Sequence, residues 1–216
     1  MISGFFYTLA SSATKEQTVA AGWAMLALGC FNLAATVSGD ATTLGFKDAP
    51  LQAWTAFCVI WGFLILNSAG EKPETEVVVV KSLSTPFKVI SVIFFINFCL
   101  FVFAPKMTIG HYIDIDQYKN AAASQMHVEN MIRILGLFQF GLSRFLDASA
   151  SSASYSCGIA ASIGMFFFAA NFAYVIFNRD FEAFKGDRNM ILLWACVNAF
   201  FGIWIVQASG EKPKTD

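Results

Sequence analysis

The sequence predicts an all-α protein, a polytopic helical membrane protein with about six transmembrane helices, and three observations carry that expectation. Hydrophobic residues make up 56% of the 216-residue chain and charged residues 13%, whereas a soluble domain carries roughly 25% charged residues. The charges are missing altogether from five long stretches, 17–39, 49–70, 89–105, 148–178 and 189–210. Each is close to or longer than the ~20 residues a helix needs to cross ~30 Å of hydrocarbon. Finally, Gly70-Glu71-Lys72-Pro73 returns as Gly210-Glu211-Lys212-Pro213, both directly after a long apolar run.

The first span is expected between Gln17 and Gly39 and the second between Ala49 and Gly70, where the first Gly-Glu-Lys-Pro turn ends it. Gly tolerates the positive φ that closes a helix, and Pro soon after cannot continue one. The third span covers Val89 to Pro105. All five prolines, Pro50, Pro73, Pro86, Pro105 and Pro213, stand near edges of the apolar runs. There they cost little, whereas an interior proline breaks a backbone bond that lipid cannot replace.

A polar connection follows from Lys106 to about Gln125, with His111, Asp114, Asp116 and Lys119. His-x2-Asp-x-Asp fits no tight metal template, so a solvated loop with a short amphipathic helix is expected. The fourth span, Ala123 to Leu146, carries Glu129, Arg133 and Arg144. Glu129 and Arg133 are four apart and Arg144 and Asp147 three apart, which pairs opposite charges on one helix face. Both pairs flank the uncharged run Ile134–Ser143 and can snorkel towards the span ends. The small residues of Ala148–Ala153 predict a tight turn into spans five and six.

Sliding the chain on itself by 140 residues (210 minus 70) needs no gap. Ala20-Ala21 then falls on Ala160-Ala161, Met25 on Met165, Asp40 on Asp180, Trp54 on Trp194, Gly62 on Gly202 and Thr75 on Thr215. The expected organisation is one membrane domain over 1–216: repeat A at about 20–76, central spans at about 85–147, repeat B at about 160–216. Four spans separate the two turns, so both lie on one side and the duplication of spans 1–2 as 5–6 is parallel. Lys and Arg are shared evenly between the two sides, so orientation is not fixed by the positive-inside rule.

Chemistry-bearing residues are sparse. The five cysteines, Cys30, Cys58, Cys99, Cys157 and Cys196, form no CxxC pattern, so neither a metal centre nor a disulfide framework is expected. The segment Met1–Thr14 has no Lys or Arg and lacks the charged n-region of a secretory signal. The net charge of -1 offers no basic field for nucleic acid. No base, nucleophile and metal set shares a span, so no enzyme is expected. Intramembrane polar groups are mostly amides, namely Asn32, Asn67, Asn97, Gln139, Asn171, Asn198 and Gln207. Helix–helix hydrogen bonding is their common role. Oxygen or imidazole ligands to a pigment's magnesium are the functional alternative, with His127, Glu129 and Gln139 as the cofactor-binding residues.

Trp23-Ala24-Met25-Leu26-Ala27 resembles the stretch that follows the ion-pairing arginine of chlorophyll-binding light-harvesting helices. The resemblance covers five residues. The family's arginine, its glutamate partner and its pigment ligand would fall on Gly22, Gln17 and Ala20, which cannot fill those roles, so the chain is not assigned to that family. The expectation is a non-catalytic accessory subunit of a larger membrane complex. A photosystem-antenna assembly in a thylakoid membrane is the preferred setting, with chlorophyll and carotenoid as its cofactors. Its partners would be other membrane-protein subunits, lipids and pigments. A small polytopic transporter or channel is the alternative.

Overall fold

The computed structural model describes residues 14–37, 48–71, 78–112, 122–177 and 188–210. The segment 1–13, the turn residues Lys72-Pro73 and Glu211–Pro213, and the loop residues Asp114, Asp116 and Lys119 lie outside them, as do the side chains of His111 and His127. Among the described residues the chain is all-helical. Its α-helices are α1 (Lys15–Val37), α2 (Asp48–Glu71), α3 (Ser84–Phe103), α4 (Pro105–Tyr112), α5 (Ala122–Ser149), α6 (Tyr155–Phe177) and α7 (Arg188–Gly210). A 3-10 turn, Lys81–Leu83, leads into α3. Among the described residues four segments are long and apolar enough to cross a membrane: Ala49–Gly70, Lys81–Phe103, Tyr155–Phe177 and Arg188–Gly210.

The sequence places most boundaries correctly. Pro50 and Pro86 stand in the first turns of α2 and α3, and Pro105 opens α4, positions where the missing N–H would find no partner anyway. The third apolar helix starts earlier than the charge-free run implied, taking Lys88 into α3, where its side chain remains exposed. The small-residue turn sits at Ala150–Ser152. Ser149 and Ser152 there donate back to the carbonyls of Phe145 (2.7 Å) and Ala148 (2.9 Å), satisfying acceptors at the end of α5.

The helices pack as a row in the order α2, α1, α5, α3, α7, α6, with the short α4 lying against α5, α3 and α7. Neighbours in the row run antiparallel. In the first pair, a Cβ on Gly22 would meet Leu66, while one on Gly29 would meet Val59. In the central pair, Ser91 donates to the Ser143 carbonyl at 2.9 Å, and Phe98 and Phe140 pack at 4.9 Å between centroids. The α5 helix has 28 residues and therefore spans about 42 Å, longer than the ~30 Å of hydrocarbon. It carries the most charge and sits inside the row, where α1 and α3 shield it.

The main core lies towards the face where α3 and α6 begin and α5 and α7 finish. It joins Leu83, Phe87 and Ile90 to Phe145 and Leu146, to Cys157 and Met165, and to Phe201, Ile205 and Ala208. Polar ties lock the same face. Val80 N–H donates to the Ala153 carbonyl at 2.9 Å, and the Ser82 hydroxyl donates to the Ala208 carbonyl at 2.6 Å. The ends of α2 and α7 lie at the same face, since each runs antiparallel to a helix that starts at it.

Candidate functional site

Two places combine buried polar groups with the residues singled out by sequence. One is the charged face of α5. Glu129 is buried, its side chain only 10% exposed, and it stands 3.6 Å from Arg133 and 3.9 Å from Lys106. Arg133 also donates to the Asn130 amide oxygen at 3.0 Å. The i, i+4 spacing places Arg133, and the packing of α4 on α5 brings Lys106 across. That second cation was not legible in the sequence, because Lys106 and Glu129 are separated by the whole polar connection. The far end of α5 carries the Arg144–Asp147 pair at 3.2 Å, both residues exposed.

The second place is Gln139, two to three turns further along α5. Its side-chain oxygen is buried and accepts no hydrogen bond among the described residues. A buried amide oxygen without a donor forfeits the interaction that water would have supplied. It is therefore available to a ligand that brings a donor or a cation. The three sequence-selected residues do not converge. Glu129 and Gln139 are ten residues apart, about 15 Å along the helix axis, and His127 lies further away at the same end as Glu129. Glu129 already faces two cations, so a metal there would compete with them. Gln139 is the one of the three with a free acceptor shown. Among the described residues no group of three or more His, Cys, Asp or Glu side chains could hold a metal ion.

Neighbouring polar groups are used in packing. Asn198 donates to the Trp194 carbonyl at 2.7 Å, and Thr55 to the Leu51 carbonyl at 2.8 Å, each bonding back within its own helix. Gln17 contributes its side-chain oxygen to the Thr14 N–H at 3.0 Å and directs its amide nitrogen at Cys157 Sγ, 3.8 Å away. These groups therefore have structural occupations, in contrast to Gln139.

Four large residues on α2, Trp54, Phe57, Trp61 and Leu64, are exposed and are spaced three, four and three residues apart along one stripe. Their rings form a chain, with Trp54 and Phe57 stacked at 5.3 Å and Phe57 and Trp61 at 5.9 Å. Positions 140 residues later on α7 are Trp194, Val197, Phe201 and Trp204. There Phe201 is in the core, and Val197 and Trp204 pack against it. The α7 stripe therefore packs in the core from Val197 to Trp204; the α2 stripe has α1 behind it and no other helix of the row in front.

No protein-family model, no characterised protein and no solved structure matches this chain.

Proposed function

We propose that the chain is a non-catalytic, integral-membrane accessory subunit of a larger membrane complex, built on a parallel internal duplication. The bare α2 stripe carries the reading. Its counterpart on α7 packs in the core from Val197 to Trp204, so a helix of another subunit would cover the α2 stripe in the assembled complex. Large aromatic surfaces suit such contacts because they bury much area with few polar atoms.

The duplication is supported at three levels. Adding 140 to the start of α1, Lys15, gives the start of α6, Tyr155. The caps match: Gln17 N–H donates to the Thr14 hydroxyl at 3.3 Å and Cys157 N–H to the Ser154 hydroxyl at 3.2 Å. The packing matches as well. A Cβ on Gly62 would lie 2.8 Å from Leu26, and one on Gly202 would lie 2.9 Å from Phe166, the two contacts being 140 residues apart on both sides. On this reading α1 and α5 join the four apolar segments to make six spans. The charges of α5 are tolerated because they are paired and shielded by neighbours.

Pigment binding is the more specific form of the proposal. Its support is the free oxygen of Gln139, a hard donor of the kind magnesium accepts. Chlorophyll with carotenoid, in a photosystem-antenna assembly of a thylakoid membrane, is the setting we infer. Solubilisation of native membranes in mild detergent tests both levels. The chain is expected to migrate with other subunits and to carry visible absorption bands. Gln139→Leu is expected to remove part of that absorption without dissociating the complex. A colourless chain, free of other subunits, that moves a solute across liposomes unaided would replace this reading with a transporter or channel.

A further inference from the structure

We propose that two copies of this chain pair in the membrane through α6, about a two-fold axis along the membrane normal. Ala160, Gly164, Phe167, Asn171 and Tyr174 follow one another at intervals of four, three, four and three residues. Such spacing draws a single seam along a helix that meets a partner at a shallow angle. The seam faces outward: Phe167 is 52% and Tyr174 65% exposed, and a Cβ on Gly164 would meet nothing within 4 Å.

The duplicated face shows that this side of the helix is a packing side. The α1 residues at the matching positions include Ala24, which sits so close to α5 that a Cβ on Gly141 would lie 2.6 Å from it. Leu28, also on this face of α1, is 6% exposed, whereas its counterpart Phe168 is 37% exposed. No helix of the row stands against α6 where α5 stands against α1.

Asn171 identifies the occupant. Its side chain is exposed and has no hydrogen-bond partner among the described residues. It lies six residues before the end of α6, about 9 Å along the axis, so it meets hydrocarbon rather than water. An amide there needs a partner with both a donor and an acceptor. A second Asn171 supplies both, and a two-fold axis brings a residue onto itself. Gly164 is seven residues away on the same seam and, with Ala160, forms the small-xxx-small spacing that lets two backbones approach. The α6 helix carries no charge, so identical copies do not repel. The α2 stripe from Trp54 to Leu64 carries no amide, and its indole N–H groups donate and do not accept. The two bare faces are thus assigned to different occupants.

The pairing rests on the reading of α6 as a membrane span and on neither the pigment nor the accessory role. The test places the full chain, with its native cysteines replaced by alanine, in lipid vesicles at low copy number. Single-molecule photobleaching of a labelled chain is expected to show pairs. Asn171→Cys is expected to form an inter-copy disulfide on mild oxidation, and Trp61→Cys is not. Gly164→Leu and Asn171→Leu should each weaken pairing about tenfold or more, while Asn171→Gln retains it. A chain that stays single, pairs indifferent to both weakening variants, or cross-links through Trp61→Cys but not Asn171→Cys would overturn the proposal. The cross-linking arm does not depend on variants that disturb packing. A chain that fails to enter the bilayer fraction would instead remove the membrane-span reading beneath it.

Discussion

Glu129 concentrates the polar stakes of this molecule in one side chain. It is buried, it faces Arg133 from one turn along its own helix, and it faces Lys106 from α4. Its two cations are more exposed than it is, so solvent screens them and the net contribution falls well short of a fully buried pair. Glu129→Leu would leave both cations without their counter-charge and is expected to destabilise the fold by about 1–2 kcal/mol. Replacing Glu129 and Arg133 together should cost less than the sum of the single changes. A double-mutant cycle read by thermal denaturation in detergent checks this, and a coupling of zero would show that the pair contributes nothing. The exposed Arg144–Asp147 pair should contribute below about 1 kcal/mol in the same measurement. Sequence spacing was enough to expect both intrahelical pairs. It could not place Lys106, whose approach depends on where α4 turns back over α5.

At the scale of the element, α6 is held at its start more tightly than its apolar sequence suggests. The Ser154 hydroxyl accepts the Cys157 N–H, capping a helix whose first amides have no intrahelical partner. Ser154→Ala is expected to cost about 1 kcal/mol, and Thr14→Ala at the matching cap of α1 a similar amount. Gly158 lies one residue beyond Cys157, and a Cβ there would collide with the Ser209 hydroxyl and come within 2.9 Å of Leu83. Both neighbours are buried, so neither side chain can swing into open space. Gly158→Val should therefore destabilise more than either cap variant, by about 1–3 kcal/mol through overpacking. Gly164→Val on the same helix should be nearly neutral in the isolated chain, since its site is open. Thermal denaturation of the four variants side by side ranks them, and equal losses at Gly158 and Gly164 would contradict the packing described.

For the whole molecule, the row of antiparallel helices puts the ends of α2 and α7 at the same face. Gly70 and Gly210 are both exposed there, and Met107 is exposed at the opposite end. In a cysteine-free background, Gly70→Cys and Gly210→Cys should react with a membrane-impermeant thiol reagent from the same face of sealed vesicles, and Met107→Cys from the other face. Opposite accessibility of the two glycine positions would reject the arrangement. The same row explains how a chain with so few charges tolerates a charged central helix. The polar α5 is flanked by α1 and α3, which cover it on both sides.

The sequence by itself determined the helical class, the positions of the apolar segments and the turn between α5 and α6. Charge-free length, edge prolines and small residues are local properties, and helices in lipid satisfy their backbone bonds locally. It also paired Glu129 with Arg133 and Arg144 with Asp147, because one helical turn fixes those distances. Only the tertiary structure decided which faces are covered. The stripe from Trp54 to Leu64 and the stripe from Trp194 to Trp204 look alike as sequence, yet the first is bare and the second packs in the core from Val197 to Trp204. His127, Glu129 and Gln139 likewise looked equivalent as ligands until packing gave Glu129 two cations and left Gln139 its free oxygen. Coverage of that kind depends on which helices the loops bring together, and no spacing along one helix encodes it.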